Sequence, residues 1–186
     1  RIGLYAGEFG RLLGWEADQV ECIQAAAPMH DIGKIGIPDR ILQKPGPLTD
    51  EEWSVMRTHP ATGAAILQGS RVPFIRMGAQ IAVCHHERWD GTGYPAGTAG
   101  AQIPLDARIT CLVDVYDALS NRRCYHDPWP EQQVVEYLKS QRERLFDPEL
   151  VDLFFAHYGT FRSILNGNPD RPMAPFRDEA DQVANR

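Results

Sequence analysis

Four histidines and two aspartates form a pattern that is typical of a buried metal centre. Three of the histidines stand in doublets of ligand-forming residues, and the remaining residues follow at wide intervals. Imidazole and carboxylate groups together suit Mn, Fe, Co, Ni or Zn. One of the aspartates interrupts a strongly apolar run, where a carboxylate is costly unless it is paired or metal-bound. The set therefore predicts a fold that brings distant segments to one polar point in the interior. Its members are His30, Asp31, His59, His85, His86 and Asp114.

Each of these residues also has a simpler interpretation. A lone buried histidine, such as His59, is more often a hydrogen-bonded core residue than a ligand. The same holds, less strongly, for the doublet His85–His86 considered by itself. Only the combination of all six residues in one small chain favours a metal site over a set of unrelated core histidines. His157 lies outside the pattern, and we expect it on a helix surface or in the core.

Apolar residues recur at helical spacing along most of the chain, and no pair of strands stands out. Thr49 and Glu52 form a capping box that begins one helix. Pro60 and Pro148 suit the first turn of two further helices. The pattern predicts an all-α fold, a single bundle of about seven helices. A loop rich in glycine and proline is expected over residues 87–104.

The organisation along the chain indicates one domain followed by a tail. We expect the domain to cover residues 1–160 and a mobile tail to cover residues 161–186, where Gly, Pro, Asp and Arg become frequent after Asn166. A helical pattern is already running at Arg1 without a cap. We therefore expect the chain to be an N-terminally truncated fragment of a longer protein.

Composition limits the function classes. The 186 residues are 43% hydrophobic and carry a formal net charge of −6, which argues against duplex nucleic acid as a general partner. The longest apolar runs are too short to span a bilayer, and no signal-peptide pattern opens the chain. We expect a cytoplasmic protein whose four cysteines are buried, reduced thiols. They are Cys22, Cys84, Cys111 and Cys124.

The ordered motifs resemble those of the HD-GYP domain, the cyclic-di-GMP phosphodiesterase branch of the HD metal-dependent phosphohydrolases. The resemblance covers roughly residues 1–155. It is carried by His-Asp-Ile-Gly-Lys-Ile-Gly-Ile-Pro at 30–38, His-His-Glu-Arg-Trp-Asp-Gly-Thr-Gly-Tyr-Pro at 85–95 and Asp-Val-Tyr-Asp-Ala-Leu at 114–119. Shorter matches occur at 44–49, 103–109 and 146–148.

The resemblance implies a helical HD-type fold and a set of metal ligands. The implied ligands are His30, Asp31, His59, His85, His86 and Asp114, with Asp31 bridging two ions. It also implies two or three divalent transition-metal ions, with Fe or Mn preferred and Zn, Ni or Co as alternatives. Lys34 would act with Asp31 in catalysis, because its ammonium is placed to stabilise a phosphoryl oxygen or the leaving alkoxide. A solvated lysine is the alternative.

The resemblance further implies a substrate-binding set. It consists of Lys34, Gly93, Tyr94, Asp117, Arg123 and His126. Glycine lets the backbone come close, and Tyr94 offers a face for stacking or a hydroxyl for a phosphate. Alternatives stay open: the Gly-Tyr-Pro loop only braces the domain or docks a partner, Asp117 only supports a ligand, and Arg123 forms a surface salt bridge.

Three departures from the family pattern bear on these implications. The family carries a further Glu and His before the position of Arg1, and this chain contains neither. Cys124 replaces the usual proline. His126 stands where Lys or Arg is common, which makes phosphate binding there weaker or pH-dependent.

The resemblance implies hydrolysis of cyclic-di-GMP to linear pGpG, with onward hydrolysis to GMP left open. The main alternative is an inactive or weakly active signalling module that docks a GGDEF-type diguanylate cyclase through the Gly-Tyr-Pro loop. Another alternative keeps the enzyme and changes the substrate to a nucleotide monophosphate or an alarmone. The family further implies an upstream receiver or sensor domain, and leaves a homodimer open.

Overall fold

The computed structural model describes residues 1–121 and 127–169, which are helical apart from loops and one isolated bridge between Arg142 and Phe146. The helices are α1 (Ile2–Leu12), α2 (Ala17–Ala26), α3 (Asp39–Leu42), α4 (Asp50–Met56), α5 (His59–Leu67), α6 (Pro73–Cys84), α7 (Leu105–Ser120), α8 (Glu131–Ser140), α9 (Pro148–Ala156) and α10 (Tyr158–Gly167). Short 3₁₀ turns occupy Ala27–Met29, Ile32–Gly36 and Gly100–Gln102. The predicted all-α class is confirmed.

Two helices start at residues whose side chains satisfy one of their first N–H groups. Thr49 caps α4, since its hydroxyl accepts from the backbone N of Glu52 at 3.3 Å and the Glu52 carboxylate accepts from Thr49 N at 2.8 Å. Asp147 caps α9 by accepting from Glu149 N at 2.9 Å, with Pro148 in the first turn. Both helix starts were predicted from the sequence.

An aromatic cluster fills the core between α1, α7, α9 and α10. It contains Tyr5, Phe9, Tyr116, Phe154 and Phe161, each at most 1% exposed. Phe161 is central, with ring centroids 4.9 Å from Phe9 and 4.6 Å from Phe154. Burial of so much aromatic surface is the main stabilising contribution in this half of the domain.

Helix α10 crosses the boundary that the sequence predicted at residue 160. The helix continues to Gly167, because Phe161 fits the aromatic core and Ile164 and Leu165 pack against that core. Residues 161–167 therefore belong to a packed helix, and the division into a domain and a tail stays a prediction. Residues 170–186 lie outside the described residues, and their mobility stays a prediction.

Two features bear on the expectations drawn from composition. No helix in the two described ranges is both long enough and apolar enough to cross a membrane. Cys111 is buried, whereas Cys22 and Cys84 are only partly so, and all three are free thiols. Complete burial was thus wrong for Cys22 and Cys84, because each lies towards the edge of its helix's apolar face. Cys124 is outside the described residues.

The 3₁₀ turn after Asp31 lies directly against the start of α5. A Cβ atom on Gly33 would come within 1.9 Å of the carbonyl oxygen of His59 and 2.4 Å of the backbone N of Gly63. Only a glycine permits this approach. The contact brings the backbone beside Asp31 next to the backbone of His59, although 28 residues of sequence separate the two.

Candidate metal centre

Four of the predicted ligands converge at one point. Asp31, His59, His85 and His86 each offer a ligand atom, and these atoms all lie within 4.8 Å of one another. His59 and His85 are 0% and 1% exposed, so the site is shielded from bulk water on their side. The residues come from the turn after α2, the first residue of α5 and the end of α6.

The two carboxylate oxygens of Asp31 face different groups. Oδ1 lies 3.3 Å from His59 Nε2 and 3.7 Å from His85 Nε2. Oδ2 lies 3.3 Å from His30 Nε2 and 2.7 Å from the ammonium of Lys34. A carboxylate between two sets of donors has the orientation that bridging of two cations requires.

His30 and Asp114 lie on the second side of Asp31. The distance from His30 Nε2 to Asp114 Oδ1 is 3.6 Å, and both residues are buried, at 7% and 5% exposure. Asp114 projects from the middle of α7, the most completely buried helix of the bundle. The structure therefore brings all six predicted ligands to one place, arranged as a tight group of four and an adjacent pair.

Three histidines are oriented by their own local backbone. Nδ1 of His30 lies 2.8 Å from the carbonyl oxygen of Ala27, and Nδ1 of His59 lies 2.8 Å from that of Met56. Nδ1 of His85 lies 3.0 Å from the carbonyl oxygen of Ala82. A carbonyl oxygen only accepts, so each Nδ1 carries a proton and each Nε2 is the ring nitrogen that faces the cluster.

The Nε2 atoms of the cluster lie close together. His59 Nε2 lies 3.0 Å from His86 Nε2 and 3.5 Å from His85 Nε2. Among the described residues Asp31 Oδ1 is buried without a hydrogen-bond partner. A buried carboxylate oxygen without a donor costs free energy. A divalent cation among these atoms would remove this cost, so the donor set fits a transition-metal centre.

The charge states of the cluster support this interpretation. Burial, with the neighbouring histidines, lowers the pKa of His59 to about 4 and holds the pKa of His86 well below its usual range. Both rings are therefore neutral at pH 7, as ligation requires. Burial disfavours the charged forms of Asp31 and His30, but Lys34 and His30 together keep the pKa of Asp31 well below its usual range. Asp31 and Asp114 raise the pKa of His30.

Lys34 is buried in the site. Its side chain is 5% exposed and its ammonium lies 2.7 Å from Asp31 Oδ2. A solvated lysine, the alternative that the sequence left open, is wrong for this position. The 3₁₀ geometry of Ile32–Gly36 places the side chain one turn after Asp31, on the same side.

The Gly-Tyr-Pro segment belongs to a braced loop. Gly93 packs against backbone, since a Cβ there would lie 2.4 Å from Arg88 N and 2.5 Å from the carbonyl oxygen of His86. The buried carboxylate of Glu87 accepts from the backbone N of Ala96 at 2.8 Å and of Thr98 at 3.0 Å. The two hydrogen bonds accepted by Glu87 and the close backbone packing at Gly93 hold the loop against the end of α6.

Tyr94 contacts the centre through His86. The two rings stack with centroids 4.9 Å apart and planes 18° from parallel, and Tyr94 N donates to the carbonyl oxygen of His86 at 3.2 Å. The guanidinium of Arg57 lies over the Tyr94 ring, 5.4 Å from its centroid. Tyr94 therefore restricts the orientation of one of the four clustered histidines.

Asp117 is held by Arg1. Arg1 Nε lies 2.5 Å from Asp117 Oδ1, and Nη2 lies 3.0 Å from Oδ2, while Nη1 donates to the carbonyl oxygen of Asn168 at 2.8 Å. Both carboxylate oxygens are thus bound by a buried guanidinium fork. Of the two roles that the sequence left open, this arrangement favours support of the helix that carries Asp114 over direct substrate contact.

Arg123 and His126, the remaining predicted substrate residues, lie outside the described residues. Two contributors to the site were missed from the sequence. Glu87 was part of the matched text, and a carboxylate beside two histidines was a usable signal for a buried brace. Arg57 carried no signal, because its proximity to Tyr94 depends on the packing of α5 against α6.

The all-helical bundle with its buried histidine and aspartate cluster agrees with the HD-type fold that the sequence predicted. The family model described as HD domain matches residues 1–150. The chain therefore belongs to the HD domain family. The resemblance to the HD-GYP branch is confirmed by its relatives.

Curated relatives share much of the chain's sequence. It is 49% identical over 152 residues, 82% of its length, to the cyclic di-GMP phosphodiesterase response regulator RpfG of Xanthomonas campestris. It is 42% identical over 170 residues, 91% of its length, to 3′3′-cGAMP-specific phosphodiesterase 2 of Vibrio cholerae. These matches span 40% and 33% of the two relatives. The chain thus spans well under half the length of the curated relatives it matches.

The fold has a solved counterpart. A crystal structure of a cyclic GMP-AMP specific phosphodiesterase of Vibrio cholerae superposes with a TM-score of 0.64 and covers 88% of this chain and 44% of that chain. Sequence identity in the superposition is 18%, so the likeness supports the fold.

Proposed function

We propose that this domain catalyses metal-dependent hydrolysis of cyclic-di-GMP to pGpG, with GMP as a further product. The main supporting observation is the convergence of the Nε2 atoms of His59, His85 and His86 around Asp31. The relative of highest identity among those described above acts, by its name, on cyclic di-GMP.

The six clustered residues are the proposed ligands of two ions. Asp31 Oδ2, His30 and Asp114 would hold one ion, and Asp31 Oδ1 with His59, His85 and His86 would hold the other. Iron or manganese is proposed for both. Such ions, when bound, lower the pKa of a water molecule and offset charge on a phosphate.

The chain's own residues prepare the site for an anionic substrate. Lys34 keeps Asp31 ionised, so that both carboxylate oxygens remain available as acceptors. An ammonium has three N–H donors, and one of those on Lys34 is directed at Asp31 Oδ2. We propose that another stabilises the 3′-oxygen as it leaves phosphorus. The Nδ1 hydrogen bonds fix the three histidine rings throughout the reaction.

Substrate contacts are proposed at the Gly-Tyr-Pro loop beside the centre. Tyr94, on the backbone that Gly93 lets approach, is half-buried. Arg123 and His126 are proposed phosphate-binding residues, and Asp117 is proposed to assist through Arg1 and α7. Cyclic-di-GMP is an intracellular messenger, so we propose a cytoplasmic site of action. The GGDEF partner, the upstream receiver or sensor domain and the homodimer remain predictions.

Product chromatography tests the proposed function. Protein loaded anaerobically with Fe(II), or with Mn(II), should convert cyclic-di-GMP to pGpG. The double variant His30→Ala/Asp31→Ala should lose at least about a thousandfold in kcat, because both proposed ion sites lose ligands. The exposed His157→Ala variant is the matched control and should retain wild-type turnover. Undiminished turnover by the double variant would show that the assigned centre is wrong.

The substrate panel should also contain 3′3′-cGAMP. A relative that matches 91% of the chain is named for that nucleotide. If the protein hydrolyses only 3′3′-cGAMP, the phosphodiesterase assignment stands and the proposed substrate is wrong.

A further inference from the structure

Arg57 lies where the segment before His59 meets the loop that carries Tyr94. It sits in the junction between α4 and α5, two residues before His59. Its guanidinium lies over the ring of Tyr94, which stacks on His86. One short segment thus carries His59 and Arg57, and the opposing loop carries Tyr94 beside His86.

The backbone around Arg57 is fixed. Arg57 N donates to the carbonyl oxygen of Trp53 at 2.9 Å, and the carbonyl oxygen of the preceding residue, Met56, accepts from His59 Nδ1. The side chain therefore leaves a rigid point beside the cluster. A guanidinium lying over an aromatic ring is further restricted in direction by the cation–π attraction.

Arg57 is also an exposed cation. Among the residues that the structure describes, no carboxylate forms an ion pair with it, whereas Lys34 is committed to Asp31 and Arg1 to Asp117. A guanidinium held over a ring directs its N–H donors outward from its edge. That edge matches a phosphate in a bidentate manner. Because the net charge is −6, an exposed cation beside the cluster would help to attract a dianionic substrate.

We propose that Arg57 binds the second, non-scissile phosphate of a cyclic dinucleotide whose first phosphate is held at the histidine cluster. The inference rests on the proposed function. Arg57 contacts the ring of Tyr94, which in turn stacks on His86, so it is placed to meet a part of the ligand away from the reacting atoms. It is a substrate-binding residue that sets affinity and contributes nothing to bond breaking.

Binding and turnover together test this assignment. The probe for binding is the bis-phosphorothioate analogue of cyclic-di-GMP, titrated into the metal-loaded protein by calorimetry. Arg57→Gln should weaken binding about tenfold and raise KM for cyclic-di-GMP by a similar factor, with kcat within twofold of wild type. Arg57→Lys keeps the charge without the fork and should fall between the two. Arg76→Gln, which removes an exposed arginine from α6, should bind as wild type does.

Each other outcome overturns the assignment. Unchanged affinity of Arg57→Gln for the analogue would show that Arg57 does not bind its phosphate. A fall in kcat at unchanged KM makes Arg57 a positioning residue for Tyr94 and His86. A loss confined to cyclic-di-GMP, with 3′3′-cGAMP unaffected, makes it a reader of a guanine base. Failure of the wild-type protein to bind the analogue overturns the inference, whereas binding without turnover overturns only the proposed function.

Discussion

The aromatic core and the histidine cluster are both buried, yet they contain opposite kinds of contact. In the core, Phe9, Phe154 and Phe161 approach with ring centroids 4.6–6.4 Å apart and gain from every contact. In the cluster, His59 Nε2 faces two other ring nitrogens at 3.0 and 3.5 Å. The core stabilises the folded chain through apolar contacts, whereas we expect the polar cluster to be stabilised further when a cation is bound.

The two regions are formed by largely different elements. Helices α1, α7, α9 and α10 form the aromatic core, whereas the turn after α2, the start of α5 and the end of α6 carry most of the clustered residues. Helix α7 serves both, since it contributes Tyr116 to the core and Asp114 to the centre. Substitutions in the two regions should therefore have effects of opposite kind.

The largest expected effect on stability comes from the aromatic core. Phe154→Ala should lower the free energy of unfolding by about 3–5 kcal/mol, because a fully buried ring is replaced by a cavity. Turnover per folded molecule should stay near that of the wild type. Denaturant unfolding measures the first and a folded-fraction-corrected assay the second. Phe74→Ala, at an exposed phenylalanine, is the control and should change stability by no more than about 0.5 kcal/mol. An equal loss of unfolding free energy in both variants would show that burial in the aromatic core does not determine the effect.

The next effect is a pH dependence specific to the cluster. The folded chain depresses the pKa of His59 to about 4, so the unfolded chain takes up more protons between pH 4 and about 6.5. Stability of the metal-free protein should therefore fall as pH drops through this window, by at most about 3 kcal/mol from this residue. His59→Gln should flatten the decline seen in denaturant unfolding at a series of pH values. His157→Gln, at an exposed position, should show the same fall in stability with pH as the wild type. An equally steep fall in both variants would mean that a group other than His59 causes it.

The smallest effect concerns the ring that supports the centre from outside. Tyr94→Leu removes the stacking on His86 and should reduce metal affinity or kcat about tenfold, the usual range for groups that orient ligands. Tyr94→Phe keeps the ring and should retain most of the activity. Metal titration followed by turnover assays separates affinity from rate. If the leucine and phenylalanine variants lose activity equally, the hydroxyl and not the stack is responsible.

The sequence predicted those parts of the molecule that rest on local rules. Capping at Thr49 and Asp147 and the all-α class follow from spacing and side-chain chemistry within a few residues. The sequence also predicted that the six ligand-forming side chains would come together, because a carboxylate within an apolar run is costly unless it is paired or metal-bound.

The contacts that the sequence could not predict join segments that are distant along the chain. The Arg1–Asp117 pair spans 116 positions, and the Arg57–Tyr94 contact depends on how two loops meet. Charged surface residues such as Arg57 carry no periodic signal. The length of α10 was missed for a different reason: its apolar residues are few, and only the core shows that Phe161 is required.

The three Nδ1 hydrogen bonds have a consequence for how such a centre persists over evolutionary time. Each ring of His30, His59 and His85 is aimed by a carbonyl three residues earlier in its own segment. The aim therefore depends on main-chain geometry, which point substitutions at neighbouring positions seldom alter. Surface residues can therefore change during evolution without altering the orientation of the three rings. Transfer of these short segments to another helical protein should preserve the same ring orientations.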